Sequence, residues 1–525
     1  MTDPSRRPLR LAELVASLSL ATDLGLGQPQ EHVLRQTVLA VRLAEAAGLS
    51  EADRAAAYYV SLLAWVGCVA DSPEMARWFG DDLRIRADSY NIDKTGLPMM
   101  AFLLGHLAEG GSSLRRISMT GRFLAGGVRD TMDSFLTHCR TAADIADRLD
   151  LPDAVQAALP QAFERWDGHG VPGGLRGEAI IPVMRVVHIA DDAEVHARVG
   201  GVDAAVRMLL SRSGTEFDPE LVNLCTRGDG ALLDGLDRVD AWQQVIDGCA
   251  ALDRPIADDE LTDVLTVFAD YSDAKATWFL GHSRAVADLA AAAAREYGLP
   301  ADQAVTVRRA ALVCRLGTIG VSTGIWNKPG PLTASERERV RMVPYLTERV
   351  LARSPHLAAL AGPASMVYER LDGSGYPRGL TGSMLPPTAR ILAAAQMFRA
   401  LGEQRPHRPA SDPGERARIL RAEVTAGRLD GDAVAAVLAA AQGRRPRKRA
   451  QIAGLTAREL DVLALLVRGR STREIAQALG ISPRTAGSHV EHIYTKIGVH
   501  SRGSAAVFAM RHGLLPDEDQ PAKIG

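Results

Sequence analysis

The chain has only five cysteines, Cys68, Cys139, Cys225, Cys249 and Cys314, scattered and without a CxxC pair. Their odd number and spacing exclude a disulfide framework and a zinc cage, and point to the reducing cytoplasm. Long hydrophobic runs are also missing. The opening MTDPSRRPLRLAELVASLSL is interrupted by Glu13 and lacks a small-residue cleavage site, so it reads as an amphipathic helix and not a leader. No other window approaches the ~18 uncharged apolar residues of a membrane span, so no membrane association is expected. Disorder has no support either, because 46% hydrophobic and 24% charged residues are ordinary globular values. At 525 residues the chain exceeds one core, and a length of roughly 150 residues per domain suggests about three domains.

Charge is unevenly placed. Residues 443–515 hold 13 Lys and Arg against 4 Asp and Glu, whereas residues 1–442 hold 47 against 56. A basic end on an acidic body is the footprint of a module that meets a polyanion. Most of the chain is rich in Ala, Leu, Arg and Glu at helical spacing, so the fold class is mainly α with minor sheet. A repeat runs through it: ERWDGHGVPGGL at 164–175 recurs as ERLDGSGYPRGL at 369–380, offset by 205, each followed at equal distance by Arg185 or Arg390. His32 and His282 correspond at an offset of 250, so the first copy carries about 45 extra residues, placed within 70–135. The border between the copies falls near 251–260.

From Leu455 the sequence spells four capped helices. Thr456 caps the first with Glu459 three residues on, Leu460, Leu463, Leu466 and Val467 share one face, and Gly469 stops it. Ser471 caps the second, with Ile475, Ala476 and Leu479 inward, and Gly480 turns the chain. Ser482-Pro483 opens the third, which buries Ala486, Val490, Ile493 and Ile497 and ends at Gly498. Its outer face is Arg484, Ser488, Glu491 and Thr495, flanked by Thr485, His489, His492 and Lys496, short polar groups that reach base edges in a major groove. A fourth helix, capped by Ser501 and stopped at Gly513, offers Ala505, Phe508 and Ala509 for packing or dimer contact.

In LTARELDVL, STREIAQALGISPRT and HVEHIYTKIGVHSR this module resembles the LuxR-type helix-turn-helix family over essentially its full length. The resemblance implies that Ser482–Ile497 is the recognition helix, that Arg473 and Lys496 lie near phosphates, and that the fourth helix dimerises. Gly487 stands where the family often has lysine, and Glu491 where it often has a basic residue. Glu491 either accepts from a cytosine amine or faces solvent.

Through GHSRAVADLA, IWNKPGPLT, ERLDGSGYPRGL and ARILAAAQMF, about Gly281 to Leu401, the second repeat resembles the HD-GYP family of metal-dependent phosphohydrolases, whose active members cleave cyclic dinucleotides. The first repeat is similar more loosely, through HVLRQTVLAVRLA and ERWDGHGVPGGLRGEAIIPVMRVVHIAD. The chemistry requires closely spaced metal ions that activate a water, held by several imidazoles and carboxylates. The resemblance places those ligands at Cys314-Arg315, Val343, Val367-Tyr368 and Gln396, with Thr318 in place of the lysine that follows the doublet; only His282 survives. The first repeat keeps His32, His138 and Asp191 as weak candidates for one ion, with Ala64-Trp65 and Ala162-Phe163 at its other ligand positions. The shared DGxGxP loop reads first as a structural turn and second as a surface for a nucleotide or partner.

The expected architecture is a mainly α chain of tandem helical HD-like domains before a four-helix LuxR-type helix-turn-helix domain. Its parts are a first HD-GYP-like domain at 1–250, a second at 255–442, a basic linker at 443–450, the DNA-binding domain at 451–515 and a tail at 516–525. The expected function is a sequence-specific regulator of transcription on double-stranded DNA. It is read as a homodimer that contacts RNA polymerase and takes a small-molecule or protein effector on the HD-GYP-like region. It is expected to need no cofactor and to be no enzyme. The alternative is a metal-dependent cyclic dinucleotide phosphodiesterase with residual activity in the first repeat.

Overall fold

The computed structural model describes residues 8–107, 113–248, 254–443, 453–512 and 514. Residues 444–450 of the basic linker, Gly513 and the tail at 516–525 lie outside them. The chain divides into two compact units, Met1–Glu260 and Leu261–Gly525. Among the described residues there is no strand, only isolated bridges such as Arg10 with Pro255.

The first unit is organised on the helix Leu11–Leu26, whose residues are nearly all buried, including Glu13 and Asp23. It is therefore a central helix and not the amphipathic one expected, since neighbouring helices cover every side of it. Asp23 accepts backbone N–H bonds from Glu31 and Val33, which fixes the entry to the helix His32–Ala46. The second unit repeats this device, with Asp273 accepting from the backbone and hydroxyl of Ser283 beside the helix His282–Glu296. Burial pushes both carboxyls up to about 7, against the pull of His32 and those backbone bonds on Asp23 and of Arg315 and Ser283 on Asp273.

The extra residues of the first copy form the helices Cys68–Phe79, Asp82–Ser89, Gly96–His106 and Ser113–Arg122, ahead of the long Val128–Arg148. At the corresponding place the second unit has only the turn Leu316–Gly320 and the helices Thr323–Trp326 and Ala334–Arg341 before Val343–Leu351. The stretch Glu51–Phe79 is long and apolar enough to cross a membrane, and that apolar window is wholly buried within the first unit.

The DGxGxP loops are built alike. Glu164 accepts the backbone N–H of Gly173 at 2.6 Å and of Leu175 at 2.8 Å; Glu369 accepts those of Arg378 at 2.8 Å and Leu380 at 3.0 Å. Gly168 and Gly373 both sit at φ +81°, and a Cβ on Gly170 or Gly375 would stand 2.4 Å from the backbone nitrogen of Arg165 or Arg370. Beyond each loop, Arg185 pairs with Asp218 and Arg390 with Asp430. Arg378 is held by Glu348, and Lys328 by Glu336.

Glu369→Ala would leave two backbone donors unmet, so it should destabilise the chain by about 1–3 kcal/mol in scanning calorimetry, with Gly375→Ala also lowering the melting temperature. A Glu369→Ala variant melting with wild type would show that the loop does not rest on this carboxylate.

Candidate nucleic-acid interface and ligand cavity

The four helices of the C-terminal module are Ala457–Val467, Thr472–Leu479, Pro483–Ile497 and Arg502–Arg511. Thr456 and Ser471 each form a capping box, with Glu459 and Glu474, and Ser482 and Ser501 cap the third and fourth helices. Gly480 and Gly498 end their helices in the left-handed conformation that glycine adopts without strain. Leu463, Val467, Ile475, Ala486 and Ile493 are buried in one core, with Val490, Ile497 and Phe508 packed against it half-buried.

The third helix leaves Arg484, Thr485, Ser488, Glu491 and His492 exposed and His489 half-buried, and Arg473 is exposed on the second. Lys496 is exposed as well and also has partners within the module. Its ammonium donates to Glu459 Oε2 at 2.7 Å and to the Gly454 carbonyl at 3.2 Å, tying the recognition helix to the first capping box. Phe508 is shared between that core and the ring of His512, centroids 4.3 Å apart.

Within the second unit the module rests on the preceding domain. Leu280 packs against the module's core, Thr277 lies against Gly469, and Arg470 donates to Gln404.

In the first unit the three candidates do not form one ligand set. His32 directs Nδ1 at Glu194 (2.5 Å) and Nε2 at Asp191 (3.2 Å), on opposite sides of the ring. Burial would lower its pKa, but the two carboxylates outweigh that and raise it to about 10, so this imidazole is a buried cation. Asp191 also accepts from Tyr90. His138 instead joins Cys68 and Asp71, whose ligand atoms all lie within 4.8 Å of one another and its own, the one such group among the described residues. The fit to a divalent ion rests on these three donors and on His138 Nδ1, which has no hydrogen-bond partner and stands 3.7 Å from Asp71. Against an ion works Arg86, which donates to Asp71 and to the Cys68 carbonyl at 2.7 Å. Cys68 and Asp71 share a helix at the three-residue spacing that puts side chains on one face, a sequence signal weaker than a CxxC pair because its third member, His138, is far along the chain.

In the second unit the positions where ligands are missing come together. Arg315, Thr318, Val343, Tyr368 and Gln396 line a cavity of about 770 Å³. Cys314 is buried beside it, its thiol pushed up to about 12 by burial. His282 lies buried with Nδ1 2.6 Å from Glu403; burial first, then Arg315 and Arg405, bring it down to about 4 against the pull of Glu403. No Asp or Glu is among the lining residues, and a metal ion does not fit where the Arg315 guanidinium sits.

Residues 266–433 match the HD domain family and residues 453–509 the bacterial regulatory proteins of the luxR family. Over 431 residues the chain is 30% identical to the 3'3'-cGAMP-specific phosphodiesterase 3 of Vibrio cholerae serotype O1, covering 81% of this chain and 94% of that protein. The chain belongs to the HD-domain family of that phosphodiesterase. A crystal structure of cyclic GMP-AMP specific phosphodiesterase from V. cholerae superposes on this HD-domain protein with a TM-score of 0.58 at 27% identity, covering 84% of this chain and 99% of that one. A cyclic di-GMP phosphodiesterase of Thermotoga maritima is 33% identical over 151 residues, 28% of this chain and 40% of that one.

These likenesses overturn the expectation that the chain is no enzyme. That expectation rested on ligand positions lost from both repeats, most of them from the second, whereas the likeness to an enzyme runs over 431 residues and so spans both. The first unit, moreover, gathers a metal-capable group in which Cys68 and Asp71 join His138, one of the candidates kept from sequence.

The Glu459 carboxyl is held down at about 2: burial would raise it, but bonds from Lys496 and Thr456 prevail. Because its folded pKa lies below the ordinary 4.5, its stabilisation is complete above pH 4.5 and is lost as pH falls toward 2. The protection of amides in 456–497, measured by hydrogen exchange relative to the intrinsic rate at each pH, should thus fall across that window in wild type and much less in Glu459→Gln; equal acid sensitivity would deny the tie.

Proposed function

We propose that this HD-domain protein is a DNA-binding regulator of transcription in which the state of the second HD domain biases the helix-turn-helix resting on it. The observation that carries the reading is the recognition helix, capped at Ser482, closed at Gly498 and exposing Arg484, Thr485, Ser488, Glu491 and His492. In this reading Ser488, Glu491, His489 and His492 meet base edges, and Arg473, Arg484 and Thr485 meet the backbone. Lys496 acts mainly by holding the helix in place. The protein works as a homodimer on double-stranded DNA in the cytoplasm, contacts RNA polymerase, and divides at the borders given from sequence.

A second reading, hydrolysis of a cyclic dinucleotide, is favoured by the likeness to the V. cholerae phosphodiesterase across 81% of the chain. There Cys68, Asp71 and His138 would hold an ion, which when bound supplies an activated water. His138 would first give up a proton, since Cys68 and Asp71 raise it to about 10 against the lowering effect of burial. Release of linear product from 3'3'-cGAMP with added Mn²⁺, lost in His138→Ala, supports this reading; an unchanged substrate refutes it.

For the first reading, the affinity of the full chain for a genomic binding fragment should fall steeply with salt in fluorescence anisotropy. Arg473→Ala should weaken all duplexes alike and flatten the salt slope by about one, while Ser488→Ala and Glu491→Ala change the preference among sequences. Affinity that does not respond to salt would defeat it.

A further inference from the structure

The cavity of the second unit lies where the family's metal ions would be, yet its chemistry is that of an anion site. Five of its lining residues are Lys or Arg and none is acidic. We propose that it binds a phosphate ester bearing a flat aromatic ring, the chemistry of a nucleotide, with the Arg315 guanidinium taking the phosphate in place of metal.

Arg315 is the centre of the case. It is only 3% exposed, lies on the cavity wall, and its Nε and Nη2 have no hydrogen-bond partner. Its nearest carboxylate, Asp273, is 3.9 Å away. Buried guanidinium donors left unmet are costly, and a planar fork of N–H groups suits a phosphate. The guanidinium is fixed over the Phe279 ring at 3.7 Å, and Arg405 lies over Trp278 at 4.2 Å while donating to Glu403 at 2.6 Å. Lys328, partly exposed at the wall and paired with Glu336 at 2.6 Å, has further ammonium N–H groups to offer an anion.

The rest of the wall suits a ring. Trp326, Tyr368 and Tyr376 line the same space, and the two tyrosines stack with centroids 5.2 Å apart. Flat aromatic walls favour a stacked base, and the volume falls within the range of small-molecule sites. A carboxylate-rich or purely apolar compound would leave either the cations or the rings unused.

The site's consequence rests on the regulatory reading proposed above, because the wall residues Trp278, Phe279 and Arg405 are chain neighbours of Thr277, Leu280 and Gln404, on which the helix-turn-helix sits. Binding itself is independent of that reading.

Calorimetric titration of the full chain in EDTA, with GMP and 3'3'-cGAMP as probes and guanosine and ribose 5-phosphate as controls, tests the site. At least one ring-bearing phosphate should bind, each control at least tenfold more weakly. Arg315→Met should weaken binding at least tenfold, and Lys328→Ala and Trp326→Ala at least threefold. Circular dichroism checks each fold, and the last two decide the matter should Arg315→Met not fold. Failure of both probes, equal affinity in the variants, or binding only with added Mn²⁺ would overturn the proposal. DNA binding by the same samples separates the readings, since DNA affinity without probe binding sinks this site alone.

Discussion

The buried guanidinium of Arg315 governs what the second HD domain can hold. A cation stacked on Phe279 and lacking hydrogen-bond partners for two of its nitrogens repels metal ions and attracts anions. Around it stand apolar or neutral side chains, Val343 and Tyr368 among them, and Gln396 donates to the Tyr368 hydroxyl at 3.3 Å. Neighbouring groups follow the same charge. Burial would raise Glu403, but His282 and Arg405 hold it at about 2, so it stays ionised beside Arg405 at neutral pH.

The cavity keeps its shape because the frame around it is tied by carboxylates accepting from backbone. Glu369 fixes the loop that carries Tyr376, and Asp273 fixes the start of the helix that follows Trp278 and Phe279. The first unit uses Glu164 and Asp23 in the same way, so the scaffold of both repeats is held while their polar centres diverge. In the first unit the charge is reversed: Asp71, Asp191, Asp192, Glu194 and Glu216 meet Arg86, Lys94, Arg212 and a protonated His32.

Local rules made the helix-turn-helix legible. Thr456, Ser471, Ser482 and Ser501 cap helices and Gly480 and Gly498 end them, and these signals need no knowledge of distant contacts. The repeat was legible because a glycine loop closing on Glu164 or Glu369 tolerates little change. What sequence hid depends on pairs far apart in the chain: Lys496 with Glu459, His138 with Asp71, Arg405 with Trp278. The helix Leu11–Leu26 misled for the same reason, because Glu13 signals an exposed face unless its buried surroundings are known. Ligand loss could be read by position, but not the convergence of its replacements on one cavity.

The C-terminal module rests on the segments that wall this cavity, through Leu280, Thr277 and Gln404. A site and a module that share a wall are coupled whenever filling the site shifts that wall, and the coupling acts equally in both directions. The direct test is fluorescence anisotropy of the full chain on its DNA site across a GMP titration. DNA affinity should change by a fixed factor, saturating as the cavity fills, and bound DNA should change GMP affinity by the same factor. DNA affinity that stays flat while the cavity fills would contradict this coupling.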